Sequence, residues 1–253
     1  MSFVEVWNFI IGNPVLNVLV ALSQLLSGNF GLAIIALTII VRLISWPLTK
    51  RQLNSTRALQ DMQPKIQELQ KKYGKNQQKL QQEMMKLYKE AGVNPLGCLW
   101  PMLVQFPIWI ALYQAIMRAL ATTPDNLLDL ANRLYSWDIV NQAIPLNSKF
   151  LWLDLSQPDP YWILAIIVGG TMWVQQKMTQ APAVDPAQQS TSRMMLLMMP
   201  LMFGFLTLLF PSGLALYWAV SNIIGIITQY FFTGGWGYLK FRSPFQSTPA
   251  KGK

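Results

Sequence analysis

The amino-acid sequence predicts an all-α polytopic membrane protein, and three observations predict it. Of 253 residues, 52% are hydrophobic and only 12% are charged, against about 25% charged in a typical soluble domain. Long apolar runs recur at roughly 30–48, 96–117, 160–178, 194–210 and 214–232, and a membrane-crossing helix needs about 20 such residues. Finally, no Asp, Glu, Lys or Arg lies between Met194 and Leu239. That block has room for two crossings, and Phe210-Pro211-Ser212-Gly213 midway supplies the turn between them.

Lysine and arginine set the orientation. Residues 49–95 carry ten, 118–159 three beside five aspartates, 177–193 two, and the tail after Phe232 four. Five crossings place 49–95, 177–193 and the tail on one side. The positive-inside rule then puts the N-terminus outside and the C-terminus in the cytoplasm. No charged segment precedes the first apolar stretch, so no ordinary signal peptide is expected.

Residues 1–28 admit two readings. Gly12-Asn13-Pro14 interrupts the helical pattern and leaves Pro14 to Ser27, about 21 Å of helix, too short to cross. Asn13, Asn17, Gln24 and Ser27 fall near one face, which suits an amphipathic helix lying in the outer interface. The other reading is a sixth span, which would break the charge alternation.

Between the first two spans, Leu59, Met62, Ile66, Leu69 and Tyr73 recur at helical spacing. After Gly74-Lys75-Asn76, Leu80, Met84, Leu87 and Ala91 do so again. This pattern predicts an antiparallel helical hairpin over about 52–92 on the cytoplasmic side, with Pro64 opening a helix. The ten basic residues of 49–95, eight of them within the hairpin, suit RNA or an anionic lipid surface, and equally a solvated loop. Residues 233–253 form a short basic tail.

Arg42 is the unusual residue. Twelve uncharged residues, Phe30 to Val41, precede it inside the first span. A charge at mid-membrane costs about 2.5–3.5 kcal/mol on insertion scales, and none of the five spans contains a carboxylate to offset it. Thr38, Arg42, Ser45 and Thr49 share one helix face by their 4, 3, 4 spacing. Arg42 therefore either snorkels to the interface or faces a hydrated cavity, and the polar stripe favours the cavity. Other spans offer matching groups: Gln105 between Pro101 and Pro107, Thr171 with Gln175, and a face of Trp218, Ser221, Asn222, Gly225, Thr228 and Gln229. Each alone is equally suited to interhelical bonding; together they point to a shared polar groove. The fourth span opens on a methionine-rich run including Met195, Met198, Met199 and Met202. Such a surface accepts varied apolar partners, or faces lipid or core.

Composition also excludes chemistry. There is no histidine and one cysteine, Cys98. An intrachain disulfide, a cysteine-cluster or histidine-ligated metal site and histidine-dependent catalysis are all excluded. No phosphate-binding loop occurs, and the spans lack the carboxylates of proton pumps. The sequence argues for a protein that is not an enzyme and needs no cofactor, metal or small-molecule substrate. Its net charge of +9 suits an acidic partner.

Six stretches, in order, carry a resemblance: NFGLAIIALTIIVRLISWPLT, MQPKIQELQKKYG, QEMMKLYKEAGVNPLGC, PMLVQFPIWIALY, DPYWILAIIVGGTMWVQQKM and FPSGLALYWAVSNI. From about Asn29 to Phe232 the chain resembles the YidC/Oxa/Alb insertase family, in its short bacterial form with five core spans. The large periplasmic domain of some bacterial members, a lipoprotein cysteine and a long basic tail are not seen. The resemblance implies a hydrophilic groove open to the cytoplasm and laterally to lipid, within a five-span core over 29–232. It places the intramembrane arginine at Arg42, groove polar residues at Thr38, Gln105 and Ser221, and an aromatic at Trp218, beside Ser45 and Asn222 of the polar faces. A client helix would slide along Phe106, Trp109 and the methionines of the fourth span.

The implied function is insertion and folding of small membrane proteins in a bacterial plasma membrane, alone or with the SecYEG translocon. The implied partners are nascent membrane proteins, the ribosome and signal recognition particle route, and anionic lipid. A lipid scramblase or transporter could use the same groove, and an assembly chaperone would bind finished spans without translocating anything.

Overall fold

The computed structural model describes residues 3–74, 76–92, 99–120, 124–141, 146–179, 186–233, 235–237 and 239. The expected start of the second span at 96–98, Lys75, the side chain of Gln105 and the tail beyond 240 lie outside them. Helices dominate. The exception is a two-residue antiparallel pair, β1 (Lys149–Phe150) and β2 (Leu153–Asp154), with a parallel bridge from Asn29 to Asn147.

The N-terminal segment corrects one expectation. Gly12-Asn13-Pro14 does not interrupt the helix. α1 (Phe3–Trp7), a π-helical turn (Asn8–Gly12) and α2 (Asn13–Leu25) run on without a break. Pro14 stands at the start of α2, where its missing N–H is harmless, and the wider π turn takes up the local misfit. Asn17 does not face an interface either. It is fully buried, donates to the carbonyls of Asn13 and Arg133, and accepts from the Tyr135 N–H. It thus ties α2 to α8 (Pro124–Arg133) and the turn after it.

By length and composition, two helical stretches among the described residues suffice to cross a membrane, Val4–Leu25 and Ser212–Phe232. A third arises if a bent pair counts as one span. That pair is α3 (Phe30–Ile44) and α4 (Trp46–Asp61), which meet at Ser45 with a 61° bend between Phe30–Ile44 and Trp46–Ser55. The straight span expected over 30–48 is therefore broken. The cause is Pro47, which has no N–H for the Leu43 carbonyl and whose ring crowds it.

α5 (Gln63–Tyr73) and α6 (Gln77–Glu90) form the expected hairpin, with Pro64 at the start of α5 and Asn76 capping α6 through the Lys79 N–H. The first arm is not one helix; it breaks at Met62, where α4 ends. Met62 and Ile66 are the buried side chains there, and the Lys86–Glu83 ion pair is exposed and contributes little.

α7 (Leu99–Ala119), α10 (Ile163–Thr179), α11 (Pro186–Leu206) and α12 (Ser212–Thr233) complete the bundle, α9 being the short turn Asp138–Asn141. α10 and α11 cross closely through glycine. A Cβ on Gly169 would stand 3.2 Å from the Pro200 carbonyl oxygen, and one on Gly204 3.2 Å from that of Ala165. Close backbone approach substitutes for side-chain interlock where lipid supplies no hydrophobic drive. Ile39, Ile40, Leu43 and Ile44 of α3, Leu197, Leu201 and Phe205 of α11, and Ile223, Ile227 and Phe231 of α12 are all exposed, as a lipid-facing surface requires.

Residues 146–159 close one end of the bundle. Phe150 packs on Gly31, where any Cβ would collide with its ring. Ser212 donates to the carbonyls of Asp154 and Gln157, and the Gly213 N–H to that of Leu155. The Ser156 hydroxyl holds the Asp154 carboxyl below its ordinary range. Asp159, 3% exposed, accepts from the Tyr161 and Leu164 N–H groups. It caps α10 in place of Trp162, whose φ of 60° leaves it no such role. Asp159→Ala should lower stability by about 1 kcal/mol, read as a lower melting temperature in detergent.

Candidate functional site

Below that closed end the helices diverge around a cavity of about 610 Å3. Its polar lining comes from Arg42 and Ser45 at the α3 bend, Thr49 and Gln52 of α4, Gln175 of α10, and Ser221 and Asn222 of α12. The bend matters here: it swings the first turns of α4 across the opening and so brings Thr49 and Gln52 to the rim. The apolar lining includes Phe106 and Trp109 of α7, Met199, Met202, Phe203 and Leu206 of α11, and Tyr217 and Trp218 of α12. No carboxylate is among the lining residues.

An aromatic cluster separates the cavity from the closed end. Trp109 and Trp218 stack with ring centroids 5.9 Å apart and an interplanar angle of 19°. Phe203 and Phe210 meet Trp218 edge-on at 5.4 and 6.1 Å, and Tyr113 meets Phe210 at 5.7 Å. These spacings lie in the range where aromatic pairs attract beyond their area. Past them lies fully buried core, including Ile34, Leu112, Leu214 and Ala215. At the other end Ser45, Thr49 and Gln52 stay half-buried, next to Lys50, Arg51 and the basic hairpin. Sideways, Phe106 of α7 and Met202 of α11 are about half exposed, at 51% and 49%. The cavity is thus sealed at one end, polar at the other and flanked by apolar side chains at the surface.

Among the described residues the guanidinium of Arg42 hydrogen-bonds to Ser221 alone, and the Tyr217 hydroxyl acts on it electrostatically. Its Nε donates to the Ser221 hydroxyl at 3.1 Å; its Nη2 donates to the same hydroxyl at 2.6 Å and to the Ser221 carbonyl at 2.8 Å. No carboxylate pairs with it among the described residues. Asn222 donates towards Thr171 Oγ1 at 3.3 Å, linking α12 to α10. Gln175 lies directly over Gly225, which has no Cβ to displace it.

Of the residues expected in the groove, Arg42, Ser45, Trp218, Ser221 and Asn222 meet in this cavity, as do Phe106, Trp109, Met199 and Met202. Thr38 does not. It is completely buried, and its hydroxyl donates to the Ile34 carbonyl of its own helix. Sharing a face with Arg42 did not give it access, because α12 covers α3 at that level. Met195 and Met198 also lie outside the cavity; they are 50% and 58% exposed and face outward. Gln105 sits in α7, but its side chain is outside the described residues. Gln52, Tyr217 and Phe203 were not expected. Gln52 was hidden by its place in a charged segment, since no spacing rule extends a stripe around a 61° bend.

The arrangement of a lone cation in a one-ended cavity coincides with clear relationships. The protein-family model described as 60Kd inner membrane protein matches residues 21–236. The chain belongs to that family. Members similar to it include the membrane protein insertase YidC of Actinobacillus succinogenes, 42% identical over 224 residues, 88% of this chain and 37% of that one. The protein of that name from Haemophilus influenzae is 42% identical over 224 residues, covering 88% and 36%; that from Histophilus somni is 40% identical over 230, covering 90% and 38%. A solved structure titled "Active YidC insertase crystal structure with the first transmembrane domain resolved" matches 83% of this chain and 43% of that chain, with a TM-score of 0.58 and 30% identity. The chain spans under two-fifths of the length of the curated family members it matches.

Proposed function

We propose that the chain is a membrane protein insertase of a bacterial plasma membrane, taking short polar tails of nascent membrane proteins through the cavity. The observation that carries this reading is the cavity itself: a cation with no carboxylate partner among the described residues, in a polar pocket sealed at one end. Moving a polar tail through hydrocarbon is costly because the tail must shed its water. A wet cavity reaching part-way into the bilayer shortens the dry distance. Arg42 attracts an acidic residue of the tail, and Ser45, Thr49, Gln52 and Asn222 keep the passage hydrated. Phe106, Trp109, Met199 and Met202 offer the client's apolar helix a flexible wall between α7 and α11. Burial of that helix in lipid supplies the driving force, so neither cofactor nor bond chemistry is needed.

In this reading the core crosses the membrane five times, and the N-terminal helix lies at the outer face. Although the N-terminal helix is long enough to cross, a sixth crossing would break the Lys and Arg alternation, which is why it is placed at the outer face; the basic hairpin and C-terminus face the cytoplasm, where the ribosome and signal recognition particle route delivers clients, with SecYEG as a neighbour. The test is reconstitution. Purified protein in liposomes should confer protease protection on the tail of a single-span client, and empty liposomes should not. Movement of labelled lipid without any tail protection would replace insertion with scrambling. Client binding without protection would leave only a chaperone.

A further inference from the structure

The contacts of Arg42 determine what it can offer a ligand. A guanidinium has five N–H donors, one on Nε and two on each terminal nitrogen. The single hydrogen of Nε and both hydrogens of Nη2 are directed to Ser221, two to its hydroxyl oxygen and one to its main-chain carbonyl. That edge of the guanidinium is a fork that can grip a carboxylate bidentately, and Ser221 fills it. Nη1 makes no hydrogen bond among the described residues; Tyr217 acts on the guanidinium through its charge distribution and takes none of its hydrogens. Ser221 is 6% exposed and sits in α12, so the element that holds the fork is a rigid transmembrane-length helix, not a loop.

We propose that Ser221 is a positioning and specificity-determining residue: it occupies the bidentate edge of Arg42 and presents Nη1 alone to the cavity. Resting on the insertase reading, this makes Arg42 a single-ended cation for one carboxylate oxygen of a passing tail. The grip is incomplete, and that suits transit. A bidentate pair in a water-poor site would hold an aspartate in place, whereas one charge-assisted contact attracts it and releases it. Recognition then depends on the tail's charge and little on its geometry. Aspartate and glutamate tails are accepted alike, and a lysine at position 42 serves almost as well as arginine.

The test compares wild type, Arg42→Lys, Ser221→Ala and the double variant in liposomes. Initial rates of tail protection are measured against concentration of a client whose tail bears one aspartate. With Ser221 present, the Arg42→Lys chain should match wild type within about threefold. In the Ser221→Ala background the fork is exposed. There the half-saturating client concentration should fall for the chain that keeps Arg42 and not for the one that also carries Arg42→Lys, separating the two by about tenfold or more. The maximal rate of the Ser221→Ala chain should drop because release slows. Ser221→Thr keeps hydroxyl and carbonyl and should behave as wild type. An arginine-to-lysine difference that is the same with and without Ser221 overturns the proposal. A second measurement needs no variant and no client: hydrogen exchange of the 15N-labelled Arg42 side chain in nanodiscs. The Nε hydrogen should exchange with water far more slowly than that of an exposed arginine such as Arg51; equal rates overturn the clamp. If the clamp is seen and wild type protects no tail, the insertase reading fails and the clamp stands.

Discussion

Arg42→Ala should slow translocation of a tail bearing one aspartate about 10- to 100-fold, the kinetic equivalent of one charge-assisted hydrogen bond of about 1.5–3 kcal/mol. The same change should matter little for a client whose tail carries no acid, because the remaining polar lining still hydrates the passage. Reconstituted protein and protease protection read both clients side by side. The expected pattern rests on the insertase reading and on the absence of any carboxylate among the described lining residues: in that reading the client supplies the negative charge that Arg42 pairs with. A loss equal for acidic and neutral tails would mean that Arg42 only holds α3 to α12.

Trp218→Ala should have the largest effect on stability. Trp218 is 9% exposed and touches Trp109, Phe203 and Phe210, three of the four other rings of the aromatic seal, and it is the larger of the two rings so connected. Removing an indole from such a cluster costs about 3–5 kcal/mol through lost contacts and the void left behind. The melting temperature in detergent should fall well below that of wild type. Trp218→Phe keeps a ring for the edge-on contacts and should recover much of the loss. A variant that melts with the wild type would show that the closed end does not depend on this cluster.

Much of this architecture was legible in the sequence because membrane helices obey few rules. Length and lack of charge located α10 and α12 closely; α11, expected over 194–210, runs instead from Pro186 to Leu206. Pro64 and Asn76 marked the ends of α5 and α6 through ordinary capping chemistry. The cavity residues Arg42, Ser45, Ser221 and Asn222 were found because a charge inside an apolar run demands an explanation, and polar residues at helical spacing share a face. Four things were not legible. Thr38 lies on the right face and the wrong level: spacing along one helix does not say where its neighbour covers it. The bend at Ser45 needed Pro47 to be weighed as a break rather than as part of a span. Gly12-Asn13-Pro14 was the opposite case, a turn signal that a π-helical turn accommodates. The partner of Arg42 was also hidden. Ser221 lies 179 residues away, and only packing of α3 on α12 decides which donors it takes.

Tail passage as proposed requires a water-filled cavity that opens on the hairpin side alone. It is tested most directly by placing single cysteines, in a Cys98→Ser background, at Gln52, Ser45, Asn222 and Ala215. A membrane-impermeant maleimide is then added to either side of sealed vesicles. Such a cavity gives labelling at 52, 45 and 222 from the hairpin side only, and none at 215 from either side. Labelling at 45 or 222 from the opposite side, or no labelling there from the hairpin side, would contradict it.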